Sequence, residues 1–126
     1  MRPEIANWIK QALADAKTAK DCLTAGNHYA CAFFAHQSVE KALKALFILR
    51  FKTAPPKIHD LLKLAKAVKM PKDLQNVAAD LTSEAVTTRY PDIAGGTPAE
   101  LYHKDKALRV LKSARRLLRW LYKRLK

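Results

Sequence analysis

Apolar side chains recur at steps of three and four near the start of the chain, at Ile5, Trp8, Ile9, Ala12, Leu13, Ala16, Ala19 and Leu23. That period places them on one face of a helix. Pro3 suits its first turn, where the missing N–H leaves no bond unmade, and Gly26-Asn27 marks its end. The pattern then changes character. From about His28 to Lys52 the chain is apolar around much of the helical girth, which predicts a central helix. Thr53-Ala54-Pro55-Pro56 closes it, because neither proline can donate to a helix. The stretch "IHDLLKLAKAV" predicts a shorter third helix that ends before Pro71. A fourth starts there and buries Leu74, Val77, Ala78 and Leu81. It stops around Thr88-Arg89-Tyr90-Pro91, since a residue before proline is driven out of the α region. Residues 90–101, with two glycines and two prolines, read as a long loop, and a last helix covers roughly 103–125.

These elements predict an all-α fold: four long helices in an up-down bundle plus one short helix, forming a single domain over residues 1–126. A chain of 126 residues can build a core without disulfide or metal staples. Cys22 and Cys31 lie inside helical patterns and match no metal or redox spacing, so they read as small core residues in a reducing cytoplasm. The start, "MRPEIANWIK", lacks the apolar stretch of a signal peptide, and no apolar run of about 18 residues exists to cross a bilayer. A cytoplasmic protein with no membrane partner is the expectation. Trp8, Trp120, Phe33, Phe34 and Phe47 supply more large apolar surface than a narrow bundle needs, which predicts a homodimer.

Charge sharpens the picture. Lys and Arg number 24 against 11 Asp and Glu, a formal net charge of +13. A field of that sign draws polyanions. The last helix concentrates it, with ten Lys or Arg and one acid, Asp105, between Lys104 and Lys126. Arg109, Lys112, Arg116, Arg119, Lys123 and Lys126 step by three and four along one face, while Ala107, Leu111, Ala114, Leu118, Leu121 and Leu125 form the opposite one. Such a row can follow a phosphate backbone, with Trp120 at its edge as a base-stacking platform. It can equally be a solvated face whose cations suit the helix C-terminus, with Trp120 as a packing residue.

The central helix carries a second polar set. Gln37, Glu40, Lys41 and Lys44 project from one narrow face, with His36 at its border. Glu40 reaches Lys44, and Gln37 reaches Lys41, one helical turn on. Pairs of that kind contribute about 0.2–0.5 kcal/mol each. His36 and Glu40 have the spacing of two metal ligands, but no further His or Cys cluster completes a site.

Three segments in order, "HQSVEKALKALF", "PPKIHDLLKLAKA" and "TTRYPD", resemble the HEPN family, nucleotide-binding domains of prokaryotes and higher eukaryotes. The likeness extends to "NWIKQALADAKTA", "AGNHYACAFFA" and "ARRLLRWLYK" and covers nearly the whole chain. It implies a helical bundle that dimerises around paired helices. It also implies a partner, a separate minimal nucleotidyltransferase in a toxin–antitoxin type pair, and no metal or other cofactor. Many such members are metal-independent ribonucleases whose site is an Arg followed four to six residues later by a His. Here Arg50 and His59 are separated by eight residues and Arg89 and His103 by thirteen, so that motif is absent.

What the resemblance carries over is a polar set: Gln37, Glu40 and Lys44 on the second helix, His59 and Asp60 opening the third, and Arg89, Tyr90 and Asp92 ending the fourth. As a cleft it makes chemical sense. Glu40 would fix Arg89 or Lys44, His59 would sit beside the free N–H groups of a helix start, and Arg89 would offer a planar fork for phosphate. Asp60 reads instead as a helix-start residue and Tyr90 as part of a rigid stop. The expected function is RNA or nucleotide binding through Gln37, Glu40, Lys44, His59 and Arg89, with Arg109, Lys112, Arg116, Arg119 and Lys123 on the last helix. Alternatives are a metal-independent endoribonuclease using Arg89 with His59 or His103, and a non-catalytic protein–protein adaptor.

Overall fold

The structure, a computed structural model, describes residues 2–87 and 96–126 (for 84–87, the backbone alone). Every described element is a helix: α1 Pro3–Thr24, α2 His28–Phe51, α3 Leu61–Ala67, α4 Lys72–Thr87, α5 Pro98–Leu101 and α6 Lys104–Leu125. The all-α bundle expected from the periodicity is therefore present. α5 is the addition. It falls inside the stretch read as loop, where Thr97 accepts from the Glu100 N–H and Pro98 occupies the first turn. A hydroxyl residue with Pro next and Glu three later is a helix-start signature.

α2 is the hub. It packs against α1, α6, α3 and α4, and a helix enclosed by four others must be apolar on most sides. Thirteen of its residues are buried, among them Ala35, Val39, Leu43 and Leu46 with no exposure at all. A fully buried leucine contributes about 1.5–3 kcal/mol, several times a surface charge pair, so this packing and not the abundant charge holds the bundle. α6 turns Ala107, Leu111, Ala114, Leu118, Leu121 and Leu125 inward as the stripe predicted, and adds Val110 and Leu117.

Two corners of the chain are closed by backbone geometry. After α1, Gly26 takes φ +84°, and the Asn27 and Gly26 N–H groups return to the Cys22 and Leu23 carbonyls at 2.8 and 3.2 Å. That paired return satisfies carbonyls a helix end leaves open. After α3 the same pair of bonds runs from Met70 to Ala65 and from Lys69 to Lys66. Here a lysine, Lys69 at φ 57°, occupies the left-handed position.

The face of α1 differs from the periodic reading. Ile5, Ala12 and Ala19 are buried together with Asp15, while Leu13 is 52% exposed. Leu13 lies one residue beyond the buried row of Ala12, Asp15 and Ala19, and that rotation carries it out to the edge.

Candidate functional site

The polar set of α2 divides between two neighbours. Lys41 Nζ lies 2.6 Å from Asp15 Oδ2 on α1 and 3.3 Å from Gln37 Oε1. The other Asp15 oxygen accepts from Gln11 Nε2 at 2.9 Å. This four-residue network sits between α1 and α2, with Asp15 buried. Asp15 and Gln11 were not singled out from the sequence. Asp15's spacing from Ala12 and Ala19, three and four residues, is the available signal that it shares their buried row.

Glu40 and Lys44 make the second cluster. The Glu40 carboxylate is 2.8 Å from His59 Nδ1 and 3.4 Å from Lys44 Nζ. Glu40 is 4% exposed and Lys44 7%. Lys44 Nζ also stands 5.7 Å from the centre of the Trp8 ring on α1, so the ammonium meets an acid on one side and a π face on the other. His59 belongs to the segment that leads into α3, and its side chain is 64% exposed. A buried carboxylate holding a solvent-facing imidazole is an arrangement that orients a ring for hydrogen bonding or proton transfer.

Beside His59, the N–H groups that open α3 are all occupied. Leu61 N donates to Thr82 Oγ1 at 3.0 Å, Leu62 N and Lys63 N to Asp60 Oδ1 at 3.0 and 3.3 Å, and Leu64 N to the Asp60 carbonyl. Asp60 is thus the N-cap of α3. The free donors expected next to His59 are not free, because Asp60 and Thr82 take them. His36 is fully buried in α2. Arg89, Tyr90 and Asp92 lie outside the described residues.

On α6 the cation row is laid out as the spacing predicts. Arg109, Lys112, Arg116, Arg119, Lys123 and Lys126 are all exposed. Arg116 alone among them is answered by an acid in the described structure, Asp73 of α4 at 3.0 Å. Arg109 and Lys112, with Lys106, line a shallow cleft between α4 and α6 that also contains Asp80. His103 is exposed at the start of α6 and makes no cap bond there. Trp120 is half-buried against the core. Its ring is covered by the Arg124 guanidinium at 3.9 Å, with Arg50 at 6.0 Å. Arg50 also donates to the Val68 carbonyl at the end of α3, and Arg124 to the Trp120 carbonyl one turn back on α6. A base stacking on the face that Arg124 covers would have to displace that side chain.

No curated protein matches the chain at a significant level. Among solved structures, TT1696 from Thermus thermophilus is similar over 98% of this chain and 99% of its own, at 28% identity and a TM-score of 0.88. ST0689, described as an archaeal HEPN homologue, is similar over the full length of both chains, at 30% identity and a TM-score of 0.82. The HEPN domain family model matches residues 5–125. With the family pattern spanning nearly the whole bundle, the chain belongs to the HEPN domain family.

Proposed function

We propose that this HEPN protein is a homodimeric module that binds RNA or nucleotide and acts with a separate minimal nucleotidyltransferase in a toxin–antitoxin type pair. The observation that carries the reading is the exposed cation row of α6, of which only Arg116 meets an acid among the described residues. Cations at that helical spacing match successive phosphates and carry no base code. Gln37, Glu40 and Lys44 contribute differently, since they are engaged within the bundle. Glu40, with Lys44 beside it, sets the position of His59, while Gln37 belongs to the Lys41–Asp15 network. Family membership supports the nucleotidyltransferase partner, which co-purification from native cells would identify.

The test of the row is RNA binding by fluorescence anisotropy across a salt series. Replacing Arg116, Arg119 and Lys123 together with glutamine should weaken binding and flatten the slope of log K against log salt by about 2–3. An unchanged slope would return the row to a solvated face.

The His59–Glu40 pair favours a second reading, metal-independent cleavage of RNA. An exposed imidazole held on a buried carboxylate is suited to move a proton from a ribose hydroxyl. Cleavage that persists in EDTA and disappears in His59→Ala would support it, and an inert wild-type protein would remove it.

A further inference from the structure

α1 and α6 both flank α2, and between them runs a groove lined by Leu13 and Ala16 from one helix and Arg115, Leu118, Arg119 and Tyr122 from the other. Its floor is carbon and its rim is cationic. Leu13 is the most exposed of the large apolar side chains among the described residues. A leucine left in water beside other apolar surface marks a face that gains by being covered. Arg115 and Arg119 are exposed and take part in no ion pair among the described residues, and no acid lines the groove.

Charge decides between the possible occupants. A second copy docked groove to groove would bring four guanidinium groups together in a chain that already carries +13, and like charges across an interface cost binding. RNA would use the two arginines and gain nothing from a leucine floor, while the Tyr122 hydroxyl is shielded within the fold. A segment with apolar side chains on one face and carboxylates beside them satisfies both the floor and the rim. That is the helix-in-groove mode of recognition.

We propose that the α1–α6 groove docks an acidic amphipathic helix of a partner protein, its apolar side chains on Leu13, Ala16 and Leu118 and its carboxylates on Arg115 and Arg119. The inference does not rest on RNA binding. The two surfaces share Arg119, however, so a docked helix and RNA would compete for that residue.

The probe is a fluorescently labelled synthetic amphipathic peptide with leucines on one helical face flanked by glutamates, and a twin with lysines replacing the glutamates. The wild-type protein should bind the glutamate peptide and not the lysine peptide. Leu13→Asp changes an exposed residue and should leave the melting curve in place while weakening the glutamate peptide by about tenfold or more. Reversing the rim with Arg115→Glu and Arg119→Glu should exchange the preference, so that the lysine peptide binds. Equal binding of both peptides to the wild-type protein, or undiminished binding in Leu13→Asp, would overturn the proposal. So would a fall in particle mass by light scattering in Leu13→Asp, which would assign the groove to a second copy. Loss of RNA affinity in Leu13→Asp without any peptide binding would assign it to nucleic acid.

Discussion

Asp15 and Lys41 show how a charge can sit inside this bundle. The carboxylate is buried, accepts from Gln11 and Lys41, and so has both oxygens occupied. Removing it leaves an ammonium that is only one-fifth exposed without its counter-charge. Breaking a pair of that kind is costly where replacing both members is not. Asp15→Ala should therefore destabilise by about 3 kcal/mol in urea unfolding. Asp15→Leu combined with Lys41→Met should recover most of the loss. Cys31 is a different case. Burial pushes its thiol up from 9.0 to about 11, so the folded protein keeps the proton after the unfolded chain has released it. Its contribution is full below about pH 9 and is lost as pH rises towards 11. Melting temperatures between pH 8 and 11 should fall less steeply in Cys31→Ala than in the wild-type chain.

At the scale of elements, the ends of helices matter as much as their faces. α1 and α3 finish with the same pair of returning N–H bonds, one around Gly26 and the other around Lys69. A side chain in the left-handed region costs about 1–2 kcal/mol, and glycine returns about 0.5–1 of that through the entropy of the unfolded chain. Lys69→Gly should stabilise the fold by about 0.5–1 kcal/mol, read as a shift in the denaturation midpoint without a change in slope. α6 combines a buried apolar face with an exposed basic one. The first anchors the helix on α2 and the second stays available in water.

For the molecule as a whole, net charge and apolar surface pull in opposite directions. The aromatic residues expected to feed an interface, Trp8, Phe33, Phe34, Phe47 and Trp120, are all partly buried. Tyr29 and Phe51 stand out further, and Phe51 leans on Phe47 at 4.6 Å between ring centres. A dimer through such surface must overcome repulsion between two chains of +13 each. Light scattering at micromolar concentration should show a dimer whose share grows as salt screens that repulsion. Monomer at every salt concentration would rule it out.

The five longer helices were legible in the residues, because period, proline and glycine act locally, whereas the short α5 was read as loop. The spacing of Ala107, Leu111 and Leu118 sufficed to separate the two faces of α6, and the breadth of the apolar pattern sufficed to make α2 the hub. Family membership was legible for a related reason, since segment order along the chain needs no contact to be seen. The pairs within α2, Gln37 with Lys41 and Glu40 with Lys44, were legible, but their partners on other elements were not. Gln37, Glu40, Lys41 and Lys44 share one stripe, yet Lys41, held by Gln37, turns to Asp15 while Glu40 and Lys44 turn to His59 and Trp8. Which neighbour a side chain meets depends on how α1 and α3 pack around α2, and local spacing holds no record of that. The same packing buried Asp15, left Leu13 in water and filled the N–H groups beside His59. The sequence by itself determined the long helices and where the charge runs along them. Only the tertiary structure decided which charges are spent inside the bundle and which stay exposed.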